Sequence, residues 1–292
     1  MVTAEQLDAY AREDELRELL VSPRYLAGTG LDLDMVIRPL ADAGFAQLRG
    51  PDGEVFMHSR CHRIRAAFLP EGDDLGLWQV VVAAGSMPMH LPLWKAVFDD
   101  GIPAEAVAAF TTALAADLAA EHDGPEGRPF LYAPFGATPG WYPLGEAGWH
   151  STADTHQAQF RSPDGQAELV CNRGALTYAG EMGAGPYAWE LNVGSGRIVE
   201  TATFTSGTPT HLIAAFTSAL TNPTPVIRNR ASLARRHLAH LTVRPVEPAA
   251  ALPAPPRRGP AAAVALPPGR FPTPTSGPPL PPAPAATPAP RR

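Results

Sequence analysis

Apolar residues along the chain follow a helical pattern that occurs twice, at one fixed offset in the sequence. The shared positions include Phe98, Phe110 and Leu114 in the first segment and Phe204, Phe216 and Leu220 in the second. Their spacing is that of one buried helix face. Thr208 followed by Pro209 marks the start of the second helix, because threonine caps a first turn and proline is tolerated there. We therefore predict two helices that pack on a core containing these phenylalanines and leucines.

Short apolar segments bounded by turn residues precede each helix and predict β-strands. The predicted strands lie near 45–49, 54–59, 62–69, 77–83 and 91–98 in the first copy and near 149–153, 157–162, 166–172, 187–193 and 197–204 in the second. A short helix is predicted before each set, because residues 39–45 match residues 143–149.

The fold class predicted from these elements is α+β. Two tandem repeats, over 21–123 and 124–223, would each form an antiparallel β-meander flanked by an N-terminal short helix and a C-terminal amphipathic helix. The sequence leaves open whether the two sheets pack face to face, edge to edge or independently.

Three further segments flank the repeats. Residues 1–20 predict an N-terminal helix, since Thr3 and Gln6 form a capping box. Residues 224–242 predict a basic helix, over 226–241, that carries Arg228, Arg230, Arg235 and Arg236. Residues 243–292 are rich in proline and alanine without apolar periodicity, which predicts a disordered tail of polyproline II character.

The repeats resemble a known family. The segment Pro23-Arg24-Tyr25-Leu26-Ala27-Gly28, the tryptophans Trp78 and Trp189, and the two Ala-Phe-Thr-x-Ala-Leu helices are similar to the tandem repeats of the domain of unknown function 317 family, common in actinomycetes. The resemblance covers roughly residues 21–225 and implies the architecture. It implies no activity, cofactor or catalytic residue.

Composition and charge exclude some classes of function. The formal net charge of −6 gives no general attraction to nucleic acid or membranes, and no run of eighteen apolar residues exists. The N-terminus lacks the basic flank and apolar centre of a signal peptide. Cys61 and Cys171 lie at different places in the two copies, so no repeated disulfide framework is suggested. We predict a cytoplasmic protein without a membrane segment.

The candidate chemistry is sparse. The cluster His58-Ser59-Arg60-Cys61-His62 is interpreted as a solvated hairpin turn, because Ser59 to His62 align with the turn Ser162-Pro163-Asp164-Gly165. No further ligand at suitable spacing completes a zinc site. His150, Asp154 and His156 could form an acid–base set only if the fold brings them together in one pocket. Phosphate-binding glycine motifs are absent. Lys95 is expected to be an exposed charge on an edge strand. We predict no cofactor and no metal site.

The hypothesis that these observations favour is a non-enzymatic binding or adaptor protein, whose exposed strand faces, or the groove between the repeats, hold an unknown protein partner. The alternative is a nucleic-acid-associated protein that contacts phosphates through the Arg-rich helix 226–241 and the cationic tail.

Overall fold

A computed structural model describes residues 16–30, 32–70, 77–83, 91–123, 139–194 and 199–246. The described strands are β1 (Glu18–Ser22), β2 (Ala46–Arg49), β3 (Val55–His58), β4 (Ile64–Phe68), β5 (Trp78–Ala83), β6 (Pro92–Phe98), β7 (His150–Ala153), β8 (Gln157–Arg161), β9 (Ala167–Asn172), β10 (Trp189–Val193), β11 (Glu200–Phe204), β12 (Val226–Asn229) and β13 (Thr242–Pro245). The described helices are α1 (Leu33–Asp42), α2 (Ala104–Asp123), α3 (Tyr142–Glu146), α4 (Tyr178–Met182) and α5 (Thr210–Leu220).

The two meanders join edge to edge in one antiparallel sheet. Its ten strands run in the order β2-β3-β4-β5-β6-β11-β10-β9-β8-β7, so the last strand of each copy pairs with that of the other. In this pairing Phe98 lies opposite Ala202, and Phe204 lies opposite Ala96. The predicted α+β class and antiparallel meanders are confirmed, and the question of how the sheets pack is answered: they form a single sheet.

The C-terminal helices of the two copies, α2 and α5, pack beside each other over the middle of this sheet. All six core residues named from the sequence are fully buried: Phe98, Phe110, Leu114, Phe204, Phe216 and Leu220. Equivalent threonines fix each helix to its own repeat, because Thr111 donates to the carbonyl of Val36 at 3.0 Å and Thr217 donates to that of Gly140 at 2.7 Å.

The short helices α1 and α3 end in the same way. Gly44 and Gly148 follow them with φ angles of +82° and +78°, a conformation that glycine adopts without steric cost. The next residue in each copy then donates its N–H to a helix carbonyl, from Phe45 to Leu40 and from Trp149 to Leu144.

The ends of the described chain form a second sheet in which β1 lies between β12 and β13, antiparallel to both. This second sheet corrects the predictions for three segments, residues 1–20, 226–241 and 243–245. Most of the helix predicted over 1–20 lies outside the described residues, but its last part, from Glu18, is strand. The basic helix predicted over 226–241 is wrong, and a strand and two 3-10 segments, Arg230–Ser232 and Arg235–His240, stand there instead.

The physical reason for the strand is visible in β12, where the buried side chains of Val226 and Arg228 alternate with the exposed Ile227, the period of a strand with one buried face. Residues 243–245, predicted as tail, belong to β13. The rest of the predicted tail lies outside the described residues.

The segment that opens the first repeat in sequence packs on the second. Arg24 donates to the carbonyl of Ala219 at 2.9 Å, at the end of α5. The ring of Tyr25 meets that of Trp149 edge-on, with centroids 5.6 Å apart. Burial is the main cause that raises the pKa of Tyr25 above its usual range. The described residues accordingly form one compact unit.

Candidate binding surface

The sheet has one face covered by helices and an opposite face, here called the open face. Alternation along the strands assigns each side chain to one of the two. In β3, for example, Val55 and Met57 are buried under the helices, whereas Phe56 is exposed and His58 is partly exposed on the open face. The open face therefore carries the strand side chains that do not pack under α1, α2 and α5, and the short helix α4 lies on part of it, beside Lys95.

The duplication gives an internal comparison for this face, because strand pairing makes positions of the two halves equivalent. The equivalent open-face pairs are Leu48 and Thr152, Phe56 and Gln159, His58 and Arg161, Arg65 and Glu168, Val81 and Asn192. At these positions the first half is apolar with basic groups and the second half is polar, whereas the equivalent residues Ala67 and Val170 are apolar in both halves. The fold does not require the apolar residues, since the same strand positions accept polar ones in the other copy.

The polar half pairs its own charges. Arg161 and Glu168 lie 3.8 Å apart on neighbouring strands, and the Asn192 amide donates to Glu190 at 3.3 Å. In the first half, Arg65 lies opposite His58 across β3 and β4. The described ion pairs include none for Arg65.

A depression of about 730 Å³ occupies the apolar half. Its described lining is Leu48, Phe56, Met57, His58, His62, Arg65, Ala66, Ala67, Leu69, Gln79 and Val81. Leu48 is 67% exposed and Phe56 is 43% exposed. None of these lining residues is acidic, so the depression combines apolar contact area with a basic border. We call this region the apolar patch.

The histidine cluster at the border of the apolar patch is a hairpin turn, as interpreted from the sequence. Ser59 accepts from the N–H of Ile64 at 3.1 Å, and Ser162 accepts from Ala167 at 2.8 Å in the equivalent turn. His62 has a φ of 57°, in the left-handed region where the other copy has Gly165. The rings of His58 and His62 stack, with centroids 4.6 Å apart. This turn therefore presents two imidazoles beside Phe56.

Lys95 is not the exposed edge charge that the sequence predicted. It lies on β6, at the centre of the sheet, and its ammonium donates to the carbonyl of Met182 at 2.8 Å. Burial lowers the pKa of Lys95. The short helix α4 is anchored beside it, because Glu181 accepts from the N–H and hydroxyl of Ser206 at 2.6 and 2.7 Å.

Two of the four arginines predicted to contact nucleic acid are committed to internal bonds. Arg228 is only 5% exposed. Its two terminal nitrogens donate to Glu105 at 2.8 and 2.6 Å, and its side chain also donates to the carbonyls of Ala27 and Gly28. Arg236 pairs with Glu200. The prediction that Arg228 contacts phosphates is therefore wrong, whereas Arg230 and Arg235 are exposed.

The acid–base set considered from the sequence does not line a described pocket. His150, Asp154 and His156 are all exposed, on β7 and the turn after it. Asp154 accepts from the backbone N–H groups of His156 and Gln157 at 2.7 and 2.8 Å, which lowers its pKa.

Within the described ranges, no three His, Cys, Asp or Glu side chains are grouped as metal ligands. Among the described helices, none has the length and apolar character needed to cross a bilayer.

Of the apolar patch, the sequence indicated only the turn with His58 and His62, and its apolar residues were not recognised as a surface. The signal that could have found them is the difference between the repeats: residues shared by both copies indicate the core, whereas unshared apolar residues at outward strand positions, such as Leu48 and Phe56, indicate a surface specific to one copy.

Comparisons with known proteins agree with the internal duplication. The family model described as SPDY, domain of unknown function (DUF317), matches the chain twice, over residues 58–120 and 161–226. No curated protein and no solved structure gave a match. The two matches include equivalent parts of the repeats, β4–β6 with α2 and β9–β11 with α5. The resemblance predicted from the sequence is thus confirmed, and the chain carries two tandem repeats of the DUF317 family, joined in a single sheet.

Proposed function

We propose that this chain is a protein-binding module without catalytic activity, and that its apolar patch holds a segment of a partner protein. The observation that supports the proposal is the contrast between the halves of the open face. Exposed Leu48 and Phe56 occupy positions where the second repeat has Thr152 and Gln159. Since the fold tolerates polar residues there, the apolar ones are explained by contact with another molecule.

The chemistry of the patch specifies the partner. Aromatic and aliphatic side chains of the partner would gain free energy by covering Leu48, Phe56 and Val81, at about 25 cal/mol per Å² of apolar area. Arg65, with the imidazoles of His58 and His62, borders this area without a described carboxylate among the lining residues. The complementary segment therefore combines apolar side chains with aspartate or glutamate.

The bonds that the arginines make within the protein favour a protein-binding role over the nucleic-acid alternative. Arg228 and Arg236 are bonded to carboxylates, and the predicted helix that would have aligned the four guanidinium groups is a strand with two 3-10 segments. Two exposed arginines, Arg230 and Arg235, are a small footprint for binding a phosphate backbone.

The proposal is tested by selecting ligands for the full chain from a library of random short peptides. Wild-type protein is expected to select peptides that carry aromatic or aliphatic residues next to Asp or Glu. The variant Leu48→Thr/Phe56→Gln copies the residues of the second repeat, so it is expected to fold normally and to lose these peptides.

Two comparisons make the result decisive. The variant Val170→Thr changes a partly exposed apolar residue of the polar half and is expected to bind the selected peptides as wild type does. The variant Arg65→Glu copies Glu168 and is expected to disfavour acidic peptides. Selected peptides that bind Leu48→Thr/Phe56→Gln with unchanged affinity, or that carry no excess of acidic residues, would contradict the proposal.

A further inference from the structure

A second cavity lies on the other side of the molecule from the open face, between the first repeat and the segment that follows β12. It has a volume of about 490 Å³, and residues of its wall include Gly30, Leu33, Trp78, Asp100, Ala104 and His237. Volumes of this size are typical of pockets for small organic ligands.

Buried polar atoms without partners are concentrated at this cavity. Six buried side-chain atoms of the described residues have no hydrogen-bond partner, and three of them belong to residues of the cavity wall: Thr29 Oγ1, Trp78 Nε1 and His237 Nε2. Trp78 is 3% exposed and His237 is 2% exposed. Leaving a buried polar group unpaired costs free energy. A ligand that reaches these three residues would supply the missing bonds.

The protonation of His237 follows from its neighbours. Its Nδ1 lies 3.3 Å from the carbonyl oxygen of Leu26, which can only accept, so Nδ1 carries the proton. Burial is the main cause that lowers the pKa of His237, and Arg236 lowers it further. The neutral ring therefore offers the lone pair of Nε2 as an acceptor, whereas Trp78 offers an N–H donor.

The charges of the wall favour a cation. Three carboxylates, of Asp32, Asp100 and Glu200, stand against one guanidinium, that of Arg236, which is paired with Glu200. Asp32 and Asp100 are exposed and stand in none of the described ion pairs, so the wall carries a net negative charge.

Two helices begin at the wall, and at each start one N–H group is already bonded within the protein. Asp32 accepts from Met35 at the start of α1, at 3.1 Å, and the carbonyl of Thr29 accepts from Ala104 at the start of α2, also at 3.1 Å.

The apolar part of the wall fits an aromatic or aliphatic body. Phe68 and Trp78 form a tilted aromatic pair with centroids 4.9 Å apart, and both line the cavity with Leu33 and Val36. Aromatic faces also attract cations. We propose that this cavity binds a small organic amine, whose apolar body lies against Phe68 and Trp78 and whose ammonium group donates to Asp32, Asp100 and His237 Nε2.

Three probes with the same body and different charges test this proposal: phenethylamine, 2-phenylethanol and phenylacetate. Each is titrated into the full chain while NMR follows the Trp78 indole N–H, assigned with Trp78→Phe, and the His237 ring. Phenethylamine is expected to give saturable shifts at both groups. The alcohol is expected to bind roughly tenfold more weakly, and the acid is expected to give no shift at either.

The variant Asp32→Asn/Asp100→Asn separates the charge from the shape of the site. It is isosteric, and asparagine caps α1 as well as aspartate does. It is expected to weaken phenethylamine binding roughly tenfold and to leave the affinity for 2-phenylethanol unchanged. Asp52→Asn, in an exposed turn, is the matched control and is expected to bind as wild type does. Equal affinities for the three probes, no shift at Trp78 or His237, or unweakened amine binding by the double variant would overturn the proposal.

Discussion

The rings of Phe98 and Phe204 meet edge-on across the junction of the two half-sheets, with centroids 5.5 Å apart and planes at 78°. They occupy equivalent positions of the two repeats, and each also packs on Phe110 and Phe216. The four rings therefore lie around the local twofold axis that relates the copies. Each copy contributes one strand phenylalanine and one helix phenylalanine, so neither repeat completes this core alone.

Truncating either strand phenylalanine should destabilise both repeats together. Phe98→Ala and Phe204→Ala are each expected to lower the free energy of unfolding by about 3–5 kcal/mol. Urea unfolding followed by tryptophan fluorescence and by far-UV circular dichroism should show one coincident transition. Phe56→Ala removes an exposed ring from the open face and is the matched control, with an expected cost below about 1 kcal/mol. Separate transitions for the two repeats would show that the shared core does not couple them.

The repeated parts of the fold could be predicted from the sequence because they obey local rules. Phe110 and Phe216 stand in the same helical pattern, and Gly44 and Gly148 follow short helices where a left-handed residue is needed. The strand at Val226–Asn229 could not be predicted in the same way, because its pairing partner, β1, lies at the opposite end of the described chain. Without that partner, a segment with four nearby arginines resembles a solvated helix.

The equivalence of the two β-hairpin turns predicts an asymmetric response to substitution. Gly165 has a φ of +70°, and a Cβ there would meet no atom within 4 Å, so Gly165→Ala tests backbone strain alone. It is expected to lower stability by about 1–2 kcal/mol. His62 already bears the same strain with a side chain, so His62→Gly is expected to change stability by less than about 1 kcal/mol. Thermal unfolding of both variants measures the difference, and a larger loss from His62→Gly would contradict the equivalence.

The buried pair of Arg228 and Glu105 is expected to be structural. Arg228→Ala leaves a carboxylate partly buried without its partner and should lower the free energy of unfolding by about 3–5 kcal/mol. Replacing both residues, as in Glu105→Met/Arg228→Met, should recover part of this loss, because no charge then remains unpaired. Arg235→Ala is the control, since this exposed arginine should change stability by no more than about 0.5 kcal/mol. Equal effects of the two single arginine substitutions in denaturant unfolding would refute the structural role.

The candidate site could be predicted only in part, because its members depend on which face of a strand they occupy. The turn at His58–His62 was visible in the sequence, because Ser59–His62 aligns with Ser162–Gly165. Leu48 and Phe56 were not, because an apolar residue in a strand is expected to face the core. Only the strand register shows that both face away from it.

The lowered pKa of His237 predicts that the fold weakens in mild acid. The unfolded chain binds a proton at this residue near pH 6.5, whereas burial and Arg236 keep the folded ring neutral to lower pH. The unfolded state therefore holds more protons below about pH 6.5, and the free energy of unfolding should fall as the pH decreases from there towards the lowered pKa. His237→Gln should reduce this slope in urea unfolding measured at a series of pH values. His240→Gln, an exposed histidine of the same 3-10 segment, should keep the wild-type slope. If both variants keep it, the acid sensitivity arises elsewhere and His237 is not buried in its neutral form.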